Sequence, residues 1–249
     1  MAYQTEKILN TTIDIVTMND IIADFSRAFN LNEKMTLTSV NPQIILMSEE
    51  NPQVKQFIET STHRFPDGIG IVKMSQWTGG NIHTRVAGID VMHEALAYAN
   101  RHQKSIFLFG AKPDVIKQAA ANIQKDFPRL TLGGYLDGYT DLSDEAIVNK
   151  IQESQADMLF VGLGSPRQEL WLAEHIDALP CLIYQTVGGS FDVISGFVKR
   201  APDFFIKTNL EWVYRSCSDL KRLNRMGQIP VFISKAYRWH AAQKDIKES

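Results

Sequence analysis

Cysteine is scarce in this 249-residue chain: Cys181 and Cys217 form neither a Cys-x-x-Cys pair nor a disulfide framework, so a reducing compartment is the simpler setting. No apolar run approaches the roughly 18 residues of a spanning helix. Residues 1–16 are interrupted by Glu6, Lys7, Asn10 and Asp14, unlike a secretory leader. The histidines at 63, 83, 93, 102, 175 and 240 form no His-Glu-x-x-His or comparable ligand pair, and no Asp-x-Asp occurs, so no metal site is expected. Gly162-Leu163-Gly164 lacks the third glycine of a dinucleotide fingerprint, and no Walker lysine follows a glycine loop. Gly188-Gly189-Ser190-Phe191-Asp192 lacks the closing glycine of a nucleophile elbow. These gaps argue against a P-loop enzyme and a serine hydrolase, and a nicotinamide-dependent oxidoreductase, kept as the alternative from another class, would need a redox cofactor.

What is present is a local arrangement used three times, an apolar β-type run ending in glycine, at 105–110, 157–164 and 181–189. The second instance continues as Gly162-Leu163-Gly164-Ser165-Pro166-Arg167-Gln168-Glu169. Glycine lets backbone amides approach an anionic ligand, and a helix that follows directs unpaired N–H groups into the same space. Gly110, Gly188 and Gly189 are therefore candidate contacts for a phosphorylated ligand, with Asp192 beside them. The plain alternative for Gly188 and Gly189 is a tight strand-to-helix connection.

A hydrophobic content of 44% against 22% charged residues gives enough apolar material for one large core or two modest ones. Strand-like runs at 35–40, 105–109, 131–135, 158–161 and 182–187 alternate with helix-like segments near 88–101, 112–126, 143–155 and 166–179. Such alternation predicts βαβ units, hence an α/β fold with a Rossmann-like parallel sheet and ligands beyond its carboxyl ends. Ser143 should start one helix, and Ser165-Pro166-Arg167-Gln168 fits a capping box with proline at the first helical position. The first 60 residues and the segment 66–88 resist assignment.

Charge is uneven. Residues 200–249 carry ten Lys and Arg against five Asp and Glu, a net +5, which leaves −7 of the total −2 for residues 1–199. The expected division is a catalytic α/β body, 1–199, and a basic helical appendage, 200–249. An anionic surface, membrane phosphate or nucleic acid, would suit such a tail, as would plain solvation of a helix. In the tail, Leu210, Val213, Tyr214, Cys217 and Leu220 recur at helical spacing, with Arg215, Arg222 and Arg225 sharing one face. Ile229, Phe232, Ile233, Ala236 and Trp239 repeat the pattern, as in a helix lying on a bilayer or, alternatively, covering the body.

Pro66-Asp67-Gly68-Ile69-Gly70 is turn chemistry that would leave the Asp67 carboxylate on an open loop. Asp67 alone reads as a turn former, Arg85 as a solvated charge and Asn41-Pro42 as the opening of a turn before a helix. Together with Thr38-Ser39-Val40-Asn41-Pro42-Gln43, Arg85-Val86-Ala87-Gly88-Ile89-Asp90, Gly162 to Glu169, Val187-Gly188-Gly189-Ser190-Phe191-Asp192, Lys199-Arg200-Ala201-Pro202 and Leu210-Glu211-Trp212-Val213-Tyr214-Arg215, the segment resembles the ordered motifs of the WecG/TagA/CpsF glycosyltransferases. The resemblance implies inverting transfer of N-acetylmannosamine, or its uronic acid relative, from UDP to undecaprenyl-diphosphate-linked N-acetylglucosamine in cell-wall polymer assembly. It implies Asp67 as the base and substrate contacts from Ser39, Asn41, Arg85 and Gln168. The family usually carries Thr where this chain has Ser39. Arg215, Arg222 and Arg225 would meet the lipid diphosphate at an anionic membrane surface, with the protein peripheral on the cytoplasmic side. No cofactor and no nucleic acid partner is implied, and self-association is left open. A catalytically silent membrane adaptor would keep the tail and need no base.

Overall fold

The computed structural model describes residues 3–202, 205 and 227–248. A hairpin of β1 (Thr5–Ile8) and β2 (Thr11–Asp14) leads into α1 (Met18–Leu31), whose start is fixed by a reciprocal capping box between Thr17 and Asp20. Six strands follow: β3 (Met35–Val40), β4 (His63–Pro66), β5 (Ser105–Gly110), β6 (Thr131–Leu136), β7 (Met158–Gly162) and β8 (Ile183–Thr186). They form one parallel sheet in the order β4-β3-β8-β7-β5-β6. The helices between them are α2 (Pro42–Glu50), α3 (Pro52–Thr60), α4 (Ile69–Trp77), α5 (Gly88–His102), α6 (Pro113–Asp126), α7 (Asp144–Ser154), α8 (Arg167–His175), α9 (Ser190–Ile194) and, last, α10 (Gln228–Glu248). The α/β reading of the sequence is met by this sheet.

Alternation along the strands explains why both faces are covered. Ile106 and Leu108 of β5, with Met158 and Phe160 of β7, meet α1, α5 and α6 on one face. Phe107, Phe109, Leu159 and Val161 point the other way, toward α3, α7 and α8. A strand buried on both faces must be apolar at every position, and this continuous run is what made β5 and β7 legible from sequence.

The unassigned segments become the rest of the frame. Asn41-Pro42 and Asn51-Pro52 each start a helix: the asparagine Oδ1 accepts from the next-but-one and following backbone N–H groups, and proline fills the first helical position. β4 and α4 arise from the 63–77 stretch.

A further apolar cluster joins the hairpin, α2, α3, α4 and α10. Phe232 and Ala236 of α10 are fully buried in it, with Ile233 and Trp239 packed at its margin. Lys235 donates to Glu49 Oε2 at 2.9 Å. The apolar stripe that reads as bilayer-facing in the sequence is thus occupied by the body. The reason is that α2 and α4 present Ile44, Ile45, Ile71 and Val72, which need a cover as much as Phe232 does. Arg215, Arg222 and Arg225 lie outside the described residues. Among the described residues no helix is long and apolar enough to cross a membrane.

Candidate functional site

Parallel pairing sends the carboxyl ends of all six strands to one edge of the sheet, and the loops there carry the residues singled out above. Ser39 and Asn41 close β3, Asp67 follows β4, Gly110 ends β5, Gln168 stands in the first turn after the β7 loop, and Gly188, Gly189 and Asp192 follow β8. Arg85 lies in the segment that runs into α5.

Asp67 is not on an open loop. Its backbone N–H donates to Val40 O at 2.8 Å, and Val86 N–H donates to Pro66 O at 2.8 Å, so the turn is stitched to β3 on one side and to the Arg85 segment on the other. Gly88 N–H, one of the donors left unpaired at the start of α5, donates to Asp67 Oδ2 at 3.1 Å. Arg85 Nε approaches Oδ1 at 3.4 Å, with both side chains about four-fifths covered (18% and 21% exposed). Turn chemistry alone suggests exposure; the start of α5 and the guanidinium of the segment before it, both beyond α4, remove it. A Cβ built on Gly88 would lie 3.4 Å from Asp67 Oδ2 and 3.5 Å from Ser39 Cβ, so Asp67 and Ser39 both face the bare side of the same glycine. From beneath, Gln185 of β8, fully buried, donates from Nε2 to Gly88 O at 2.8 Å. Asn41 spends its Oδ1 on the cap of α2, 3.0 Å from the amides of both Gln43 and Ile44.

A second group forms where β5, β7 and β8 end. Gly110 and Gly162 are paired across β5 and β7, and Ala111 N–H donates to Gly162 O at 2.9 Å. Gly110 has φ +133°, and a Cβ there would collide with the Gly162 carbonyl, so glycine is required by close backbone approach. Gly188 adopts φ +51° with open space where a side chain would be.

The Ser165 region departs from the capping-box expectation. Helix α8 begins at Arg167 after Pro166, with no side-chain cap, because Gln168 is turned inward. Only 4% exposed, Gln168 accepts from Gly188 N–H at 3.1 Å through Oε1, and through Nε2 donates to Glu169 Oε1 at 2.7 Å and Ser165 Oγ at 3.3 Å. Ser165 Oγ in turn donates to Glu169 Oε1 at 2.8 Å. Burial raises the Glu169 carboxyl pKa above its ordinary value, against the lowering effect of these hydrogen bonds. Sequence reasoning did not nominate Glu169, Gly88 or Gln185. A charged residue three positions before Leu172, and so on the same face of α8 as that buried leucine, was the available signal for Glu169; nothing local marks the other two.

Two concavities mark the surface of the body. One of about 270 Å³ opens at the strand ends among Gly138, Leu142, Leu163, Arg167 and Trp171, where Arg167 Nη2 donates to Gly138 O at 3.2 Å. A larger groove of about 710 Å³ runs between α3 and α8 past Thr36, Gln56, Phe57, Ser61 and Leu170. None of the residues singled out in the sequence lines it, and the convergence of polar groups at the strand ends is the better guide to chemistry.

The chain is similar to known proteins along most of its length. The chain is 38% identical over 232 residues to a Bacillus subtilis (strain 168) protein named N-acetylglucosaminyldiphosphoundecaprenol N-acetyl-beta-D-mannosaminyltransferase, covering 92% of this chain and 90% of that one. Staphylococcus aureus (strain MW2) has a protein of the same name that is 32% identical over 244 residues, covering 97% and 94%. A third, from Bacillus spizizenii, is 36% identical over 203 residues, covering 82% and 79%. The model of the glycosyl transferase WecG/TagA/CpsF family matches residues 6–246, nearly the whole chain, and this chain belongs to the WecG/TagA/CpsF glycosyltransferases.

Proposed function

We propose that the protein transfers N-acetylmannosamine from UDP-N-acetylmannosamine to undecaprenyl-diphosphate-linked N-acetylglucosamine, with inversion, in the linkage unit of a wall teichoic acid. The observation that carries this reading is Asp67: a carboxylate at the end of a parallel strand, oriented by the Gly88 amide and Arg85, on the same sheet edge as the glycine loops. The names of relatives at 32–38% identity supply the transferred sugar and the acceptor, and UDP as its carrier is what the family resemblance implies.

An inverting transfer needs a base on the acceptor side while the nucleotide departs from the opposite face. Asp67 takes the proton of the acceptor hydroxyl as that oxygen attacks the anomeric carbon. Gly88 N–H holds one carboxylate oxygen in place, so the base is positioned before the acceptor arrives. Arg85, Ser39 and Asn41 contact the sugar and diphosphate, and the guanidinium offsets charge that develops on the leaving phosphate. Gly110, Gly188, Gly189, Asp192 and Gln168 form the nucleotide side. The basic tail, through Arg215, Arg222 and Arg225, brings the site to the lipid diphosphate at an anionic leaflet.

The test is incubation of the protein with UDP-N-acetylmannosamine and a lipid-diphosphate-N-acetylglucosamine analogue, with UDP-N-acetylmannosaminuronic acid in a parallel reaction. Acceptor-dependent UDP release from the first donor supports the reading. Release only from the uronic donor, or release without acceptor, overturns it.

A further inference from the structure

The reading above gives Gln168 and Gly188 a place on the nucleotide side, and it leaves unexplained a carboxyl group buried directly behind them. Glu169 is 2% exposed, Gln168 is 4% exposed, and both lie in the first turn of a helix that starts at the sheet edge. Burying an acid next to a site is costly unless its oxygens do something there.

The hydrogen-bond accounting shows what one of them does. A carboxamide can face either way, and only the arrangement with Oε1 toward Gly188 presents an acceptor to that backbone N–H. Both hydrogens of Gln168 Nε2 are then taken, by Glu169 Oε1 at 2.7 Å and Ser165 Oγ at 3.3 Å. Ser165 Oγ sends its own hydrogen to the same carboxyl oxygen at 2.8 Å. One oxygen of Glu169 therefore fixes the rotamer of Ser165 and the orientation of Gln168 at once. Reversing the Gln168 amide would set donor against donor at Gly188 and acceptor against acceptor at Glu169. The triangle joins the loop after β7 to the loop after β8, where Gly188 stands at φ +51° with open space in place of a side chain.

We propose that Glu169 is a positioning residue of the transfer site, which orients the Gln168 carboxamide and through it holds the Gly188 amide where the nucleotide side of the site needs it. It touches no substrate. Its other oxygen, Oε2, is buried without a hydrogen-bond partner among the described residues, so the accepting role falls to Oε1. Glutamine can reproduce that acceptor; an apolar chain of similar length cannot.

The experiment compares Glu169→Met and Glu169→Gln in the full chain by two readouts. The first is backbone amide hydrogen exchange in the peptide containing Gly188, which requires no substrate. The second is kcat/KM for UDP-N-acetylmannosamine. Glu169→Met is expected to raise exchange at Gly188 about tenfold or more and to lower kcat/KM by about 10- to 100-fold. Glu169→Gln should stay within about threefold of the parent in both. If the Met variant does not fold, as judged by circular dichroism, Glu169→Ala replaces it with the same expectation. Unchanged exchange at Gly188 in the apolar variant overturns the proposal, as does a folded Gln variant that behaves like the apolar one. A parent protein with no transfer activity would sink the functional reading alone, because the exchange measurement stands without it.

Discussion

Asp67 shows how a residue acquires a role its neighbours in sequence do not give it. Pro66, Asp67 and Gly68 specify a turn, and only the arrival of Gly88 and Arg85, some twenty positions later, turns that aspartate into an oriented carboxylate. Replacing Asp67 with Asn keeps size and one acceptor and removes the proton acceptor, so turnover should fall about 10²-fold or more while UDP affinity and thermal stability stay near the parent's. Near-normal turnover in the purified variant would return Asp67 to a turn former. His63 is legible in a different way. It lies in β4, buried, with Nε2 3.1 Å from Asp24 Oδ2 and Nδ1 2.9 Å from Thr62 Oγ1. Burial lowers its pKa, outweighing the pull of Asp24. A folded-state value below the unfolded one means that the unfolded chain takes up a proton the native chain refuses. Stability from this residue is complete above the ordinary histidine value of about 6.5 and is lost as pH falls through it, by up to about 1.4 kcal/mol per pH unit. Asp24 itself, whose pKa is lowered because hydrogen bonds from Tyr3 and His63 outweigh the raising effect of burial, loses its contribution only below the carboxylate range. Urea denaturation between pH 7 and 5 should therefore show an acid slope that Glu or Asp residues do not explain, and His63→Gln should flatten it. An unchanged slope in the variant would assign the effect elsewhere.

Among the elements, legibility followed burial. Strands β5 and β7 and helices α5 to α7 announce themselves because a two-faced buried strand must be apolar throughout and a covering helix must show a stripe. The hairpin, α4 and the four-residue β4 do not, since short elements carry too few periods to register. Asn41-Pro42 is an exception, a two-residue signal that opens α2 as its chemistry suggests. Glycine positions divide in the same way. Gly110 ends a strand in the sequence reading, and the structure adds that its missing side chain is what lets β5 approach the Gly162 carbonyl. Gly110→Ala should cost about 2–4 kcal/mol in urea denaturation, because both the positive φ and the backbone contact oppose a Cβ. A loss under about 0.5 kcal/mol would mean that the two strand ends separate freely.

At the scale of the whole molecule the governing feature is the separation of charge, +5 in residues 200–249 against −7 before them. Helix α10 commits its apolar face to the body through Phe232 and Ala236, so membrane contact, as proposed, falls to cationic side chains rather than to an embedded stripe. Each basic residue near an anionic leaflet contributes about 1 kcal/mol, which makes three arginines matter together. Replacing Arg215, Arg222 and Arg225 by Gln should weaken co-sedimentation with phosphatidylglycerol vesicles by about tenfold or more, and raised salt should do the same to the parent. Transfer to a lipid-borne acceptor should drop with it, and transfer to a water-soluble acceptor should not. Parent-like sedimentation of the triple variant would move the membrane contact to another surface.

The sequence by itself determined the class of fold, the alternation of strand and helix from residue 88 onward and the positions of the strand-end glycines, because these depend on periodicity and on backbone freedom, which are properties of neighbours along the chain. Tertiary structure decided the rest. That β8 lies between β3 and β7, that Gly88 faces Asp67, that Gln168 turns from a cap into a bridge to Gly188, and that Phe232 meets α2 and α4 are consequences of which surfaces come together. Hydrogen bonds between residues 20 or more positions apart, such as Gly88 to Asp67 and Gly188 to Gln168, leave no periodic trace, so these pairs are named by the fold and not by a place in a motif.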